Sequence, residues 1–203
     1  FEGREDIIIA SKFSPENSSE EKLTNSLDKS LKRLQRDYID IYQIHWPPAE
    51  IELRGVCNIL KKFANQGKVR SIGISNFLEK DILLAKEILG DKLFSHQIEI
   101  NPFNRSYEAD FKYLHKSLKI RTLGYTPLKG ILKLKKNSNK YKLLLKISQK
   151  YKKKINQIIL KWLLSLGDDL SLIISTGDVT HLSENIYFEE FNMSSEDLLK
   201  IND

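Results

Sequence analysis

The chain holds one cysteine, Cys57, and one methionine, Met193, in 203 residues. A single thiol excludes an intrachain disulfide and any zinc cluster built on cysteines. Cys57 stands among Val56, Asn58, Ile59 and Leu60 in a stretch of helical character, so a buried, inert thiol is expected. A reducing cytoplasm is the compartment that suits such a chain. No apolar run approaches the roughly 20 residues that cross a bilayer, so no membrane span is expected. A G-x-G-x-x-G after the first strand is also missing, which counts against a Rossmann dinucleotide site. A chain that starts at Phe1 with no methionine before Met193 is expected to be the later part of a longer gene product.

Arginine is scarce beside lysine, and lysine supplies most of the net charge of +6. The densest stretch, Lys133 to Lys154, interleaves its lysines with Leu144, Leu145 and Ile147. That is the pattern of a solvated helix face, so no nucleic-acid partner is expected. With 40% apolar and 30% charged residues, the chain suits a single domain over 1–203.

Strand and helix signals alternate without a linker. Strands are expected at 7–11, 39–46, 69–75, 94–101, 120–125 and 170–174. Ser18 and Glu21 form a capping box for a helix running to about Arg36, with Leu23, Leu27, Leu31 and Leu34 on one face. Further helices are expected at 52–65, 79–89, 106–118, 140–150, 155–166, 179–186 and 195–201. Near-continuous apolar strands alternating with helices imply an α/β protein with a parallel sheet covered by helices. Periodicity alone does not separate an open doubly wound sheet from part of a barrel.

The stretch from Asp37 to Pro48 says most about function. Ile39, Ile41, Tyr42 and Ile44 make a buried strand that must stop at Pro47 and Pro48, which leaves His45 at its carboxyl end. α/β folds place their chemistry at such ends. A lone histidine there is more often a hydrogen-bonded core residue. Two further strand ends change the balance, one finishing in Ser75-Asn76-Phe77 and the other in Lys12.

His45-Trp46-Pro47, Gly73-Ile74-Ser75-Asn76-Phe77 and Lys12, in this order and spacing, resemble the aldo-keto reductases over essentially the whole chain. The resemblance implies a (β/α)8 TIM barrel, here cut to about six βα units, with the first two strands upstream of Phe1. It implies reduction of a small-molecule aldehyde or ketone to an alcohol with hydride from NADPH, NADH being possible, by a tetrad of Tyr, Lys, His and Asp. Hydride arriving at carbon builds negative charge on oxygen, which the tyrosine protonates beside the lysine ammonium. Lys12, shortly after the Arg4-x-Asp6 turn, matches the lysine, and His45 matches the histidine. None of the eight tyrosines has the context of the proton donor, so tyrosine and aspartate are expected upstream.

By the same resemblance Ser75, Asn76 and Gln97 bind the nicotinamide carboxamide, and Tyr125 stacks on its ring. Thr126, Leu128 and Gly130 line the pyrophosphate passage, and Trp46 and Phe77 wall the substrate pocket. Ser175 replaces a customary proline, and the loop through Thr176 and His181, also expected at the cofactor, carries no Lys or Arg. That weakens the case for a 2′-phosphate. Glu184 and Asn185 match the pair that contacts adenine. A non-catalytic nucleotide-binding relative, acting as a regulatory or scaffolding subunit, is the alternative. An unrelated barrel holding anions with its lysines is a third reading.

Overall fold

The computed structural model describes residues 6–202, leaving aside the side chains at 50, 51, 132, 189 and 190. Arg4, and with it the Arg-x-Asp turn, lies outside the described residues. Six strands are described: β1 (Ala10–Phe13), β2 (Ile39–Ile44), β3 (Val69–Ser75), β4 (Leu93–Glu99), β5 (Arg121–Tyr125) and β6 (Leu170–Ile173). Their order in the sheet is their order in the chain. β1 pairs with β2, β2 with β3, β3 with β4, and β5 with β6, each pair parallel. The chain divides into two compact units, one running to residue 97 and including 114–121, the other comprising 98–113 and the chain from 122 onward.

In the first unit β2 is buried at every position, as a central strand between two neighbours must be. Helix α1 (Glu20–Leu34) buries Leu23 and Leu27, one turn apart, and Ser26 stands 3.2 Å from the Tyr42 hydroxyl of β2. The capping signal is displaced by one residue. Ser19, not Ser18, caps α1 by accepting from the Lys22 N–H at 3.4 Å, while the Ser18 hydroxyl donates to the Pro15 carbonyl. Helix α2 (Glu50–Asn65) packs on β3 and on α3 (Glu79–Leu89), burying Leu53, Val56, Cys57, Leu60 and Phe63 at helical spacing. Burial pushes the Cys57 thiol up to about 12, so it is chemically quiet.

The first strand starts three residues later than its apolar run suggests, at Ala10 rather than Ile7. Side chains from elsewhere take the backbone groups that a ladder would use. The Ile9 N–H donates to Asp40 Oδ2 at 3.0 Å, and Arg36 Nη2 donates to the Ile7 carbonyl at 3.3 Å. Regular pairing begins only beyond them and carries Lys12 inside the strand.

The second unit is built around α6 (Ile155–Leu164), which buries Ile158, Ile159, Leu160, Trp162 and Leu163. Ile98, Ile100, Tyr107, Leu144 of α5 (Asn139–Tyr151) and Ile201 complete that core. The segment expected as one helix over 106–118 begins with a wide π-type turn at Tyr107–Phe111 and becomes α-helix only in α4 (Lys112–Leu118). Two short helices close the chain, α7 (Val179–Ile186) and α8 (Ser195–Asn202).

Candidate active site

In the first unit the pairing register sets the height of each candidate. Lys12 lies opposite Gln43, and Gln43 opposite Gly73. His45 follows the last residue of β2, and its N–H donates to the Phe13 carbonyl at 3.0 Å. Ser75 closes β3 opposite Gln97, and the Asn76 N–H donates to the Gln97 carbonyl at 2.9 Å. Paired residues of a parallel sheet share a face, and alternate residues along a strand share it too. Lys12, His45, Ser75 and Gln97 therefore belong to one face at the carboxyl ends of four neighbouring strands. The opposite face carries Tyr42 towards α1.

Burial tunes this face. Lys12 is partly buried, and desolvation of its ammonium lowers its pKa from the ordinary lysine range. His45 is exposed, with its ring 6.4 Å from that of Trp46. Ser75 is buried, and its hydroxyl accepts from Asn76 Nδ2 at 3.1 Å. Gln97 is buried too, and its Oε1 has no protein donor. Of the two expected pocket walls, Trp46 is 52% exposed, whereas Phe77 is 1% exposed and belongs to the core.

In the second unit a cavity of about 350 Å³ is lined by Tyr125, Thr126, Pro127, Leu128, Lys129, Ile173, Ile174 and Ser175. Tyr125 ends β5 opposite Ile173, and burial, then the nearby Glu99 charge, raises its phenol pKa. Lys129 Nζ pairs with Glu99 at 2.9 Å. Gly130, at φ +82°, has no room for a side chain, because a Cβ would meet the Phe103 ring at 2.8 Å. Gly130, Thr176, His181, Glu184 and Asn185 lie outside that lining. The Thr176 hydroxyl accepts from the Asp178 N–H at 3.1 Å, and Asp178 caps α7 by accepting from the His181 N–H at 2.9 Å. Glu184 is ion-paired with Lys154, and Asn185 is buried, its Oδ1 accepting from Asn156 Nδ2 at 3.2 Å.

Backbone strain singles out two of the candidates. Among the described residues, five non-glycines have positive φ, and three of them, Gln35, Lys119 and Lys152, close or follow helices. The other two are Asn76 at φ 61° and Thr126 at φ 52°, each directly after a strand. For a β-branched threonine this is a costly conformation, of the kind that gathers at functional sites.

Sequence reasoning passed over several residues. Gln43 is fully buried with neither amide atom partnered by the protein, and Ser95 Oγ is likewise unpartnered. Counting back by two from His45 would have found Gln43 on the same face. Lys129, beside Leu128, gave no signal apart from its charge. The buried pair His96 and His115 could not be seen without the fold. Among the described residues no cluster of three or more His, Cys, Asp or Glu could hold a metal ion, and no helix is long and apolar enough to cross a membrane.

A model of the Aldo/keto reductase family matches residues 2–203. The chain is 31% identical over 201 residues to glyoxal reductase of Bacillus subtilis (strain 168), covering 98% of itself and 68% of that protein. A crystal structure of a thermostable aldo-keto reductase with the inhibitor epalrestat superposes with a TM-score of 0.89 at 31% identity, over 98% of this chain and 72% of that one. Bombyx mori aldo-keto reductase in complex with NADP superposes with a TM-score of 0.84 at 26% identity, over 98% and 68%. The chain thus spans about two thirds of the length of these relatives.

Proposed function

The chain belongs to the aldo/keto reductase family, and from that premise we propose that it serves a nicotinamide-nucleotide-dependent oxidoreductase of the (β/α)8 barrel kind, reducing an aldehyde or ketone to an alcohol. The observation that supports this best is the shared face of Lys12, His45, Ser75 and Gln97 at adjoining strand ends. A lysine, a histidine and two carboxamide-binding groups are the chemistry the reaction needs, at the end of the sheet where such folds react.

The residues fit a nicotinamide. A carboxamide N–H2 would give Gln97 Oε1 the donor it lacks, and the Ser75 hydroxyl can donate to the carboxamide oxygen. When bound, the cofactor supplies hydride to the carbonyl carbon. Negative charge then grows on the carbonyl oxygen, where Lys12 as ammonium and His45 as imidazole N–H donate hydrogen bonds that strengthen as the charge develops. Partial desolvation makes the Lys12 charge act through a weaker dielectric than water. The proton donor is assigned to no residue of this chain, because none of its eight tyrosines stands in the context of the family's acid. In the second unit, Tyr125 would stack on an aromatic ring, with Thr126 and Leu128 of the same cavity, and Gly130 outside its lining, along a pyrophosphate passage. NADPH is the first cofactor to try, with NADH second. A small aldehyde such as glyoxal, the substrate named for one relative, is the first carbonyl.

The test is NADPH oxidation by the intact gene product with glyoxal and a panel of other aldehydes and ketones. Replacing His45 by Ala or Lys12 by Met should lower kcat/KM by about 10²–10⁴. Turnover that ignores both substitutions would remove these residues from the reaction.

A further inference from the structure

The proposed carboxamide site stands on a short strained turn, and the residue after it is held in an uncommon way. The Asn76 N–H is held by the Gln97 carbonyl at 2.9 Å, so the partner of the Phe77 N–H, by fixing the following Asn76–Phe77 peptide, completes the restraint on the left-handed backbone of Asn76, at φ 61°. That N–H donates to His96 Nε2 at 3.1 Å. His96 Nδ1 lies 2.9 Å from His115 Nε2, and the two rings meet edge to face with centroids 5.0 Å apart. Both histidines are 0% exposed.

The donor pattern fixes both tautomers. His96 Nε2 must offer a lone pair to the Phe77 N–H, so its proton sits on Nδ1. That proton is donated to His115 Nε2, which must therefore be a lone pair as well, leaving the His115 proton on Nδ1. A second proton on either ring would set two N–H groups against each other, or turn an N–H towards the Phe77 amide. Burial, with the neighbouring ring, keeps the His96 pKa well below the ordinary histidine range, so the neutral form is the one this site favours. At the far end of the pair, the His115 carbonyl accepts from the Ile120 N–H at 2.9 Å, which ties the pair to the turn after α4.

We propose that His96 and His115 are positioning residues for nicotinamide-nucleotide binding, a two-imidazole relay that pins the Asn76–Phe77 peptide and so presents Ser75 and Asn76 to the carboxamide. The proposal rests on the reading of Ser75 and Asn76 as carboxamide ligands. It assigns them a support built from two of the four histidines in the chain. Both rings are fully buried, so the role assigned to them is positional.

The experiment compares wild type with His96→Leu, which removes the acceptor, and His96→Gln, whose side-chain carbonyl can take the Phe77 N–H again. NADPH affinity is read by fluorescence titration, amide exchange at Phe77 by NMR, and ring tautomers by long-range nitrogen–proton spectra. His96→Leu should weaken NADPH about tenfold, the loss of one well-placed hydrogen bond. It should also speed exchange at Phe77 but not at Ile41, and His96→Gln should recover most of both. Unchanged affinity and unchanged Phe77 exchange in His96→Leu would overturn the proposal. Equal loss in Leu and Gln variants would too, since a merely space-filling role predicts no rescue. Should the wild type bind no NADPH, the cofactor reading fails by itself, and Phe77 exchange still decides whether the pin exists. Should His96→Leu fail to fold, the wild-type spectra decide. A proton on His96 Nδ1 upholds the relay, and one on Nε2 overturns it.

Discussion

Gly73→Ala probes the face that carries the candidate site. Gly73 lies in β3 between Gln43 and Ser95 of the neighbouring strands. A Cβ there would stand 2.6 Å from Gln43 Cγ and 2.8 Å from both Gln43 Nε2 and Ser95 Oγ. Carbon atoms prefer roughly 3.5–4.0 Å, so Gln43 Cγ would have to retreat by about 1 Å. The amide and the hydroxyl are side-chain ends and can rotate away. Cγ is one bond from a Cβ fixed on β2, so it moves only with a change of rotamer or of backbone. Overpacking of this kind costs ~1–3 kcal/mol. Alanine returns ~0.4–1 kcal/mol by restricting the unfolded chain. The net loss should be about 1–2 kcal/mol, measured as a shift in urea midpoint at constant slope. In a Gln43→Ala background the obstructing Cγ is gone, and Gly73→Ala should cost almost nothing, a coupling of about 1–2 kcal/mol. An equal penalty in both backgrounds, or none in either, would refute this account of the packing.

Stability should depend on pH through His96. Its folded pKa is depressed, so its contribution is complete above 6.5 and declines as pH falls below that value, where the unfolded ring takes a proton the folded ring refuses. The slope should approach about 1.4 kcal/mol per pH unit for this one group, and His96→Gln should flatten it in urea melts taken between neutral and acid pH. Gly167→Ala should destabilise by about 2 kcal/mol or more, since a Cβ would fall 2.0 Å from the Tyr107 hydroxyl that donates to Asp169 at 2.7 Å; a variant as stable as wild type in the same melts counts against that. Cys57 should resist alkylation in the folded protein at mildly alkaline pH, because burial holds its thiol near 12, and thiol titration with and without denaturant reads this directly.

What could be read from the sequence was what depends on neighbours along the chain. β3 and α3 fall at the expected residues because Gly67 and Gly90, both at positive φ, punctuate them locally. The strand-end positions of His45, Ser75 and Asn76 followed from the prolines after β2 and the polar turn after β3. The first strand begins at Ala10 rather than Ile7 because Asp40 and Arg36, some thirty residues on, claim the Ile9 and Ile7 backbone groups. Ser18 and Ser19 give the same local capping pattern, so only the structure separates the cap, Ser19, from its neighbour. The His96–His115 pair joins residues 19 apart on a strand and a helix, and a tautomer chain has no signature in sequence. Gln43 carried a signal that period-two reading could have caught, but its apolar neighbours hid it.

The most direct test of the account is a comparison of two ligands on one pair of proteins. NADPH carries a nicotinamide and 2′,5′-ADP does not, so Gln97→Leu, which deletes the buried acceptor without a protein donor, should separate them. Calorimetric titration should find NADPH bound about tenfold more weakly by Gln97→Leu than by wild type, with 2′,5′-ADP bound equally by both. Equal NADPH affinity in the two proteins, or an equal loss for both ligands, would contradict a nicotinamide site at the ends of β3 and β4.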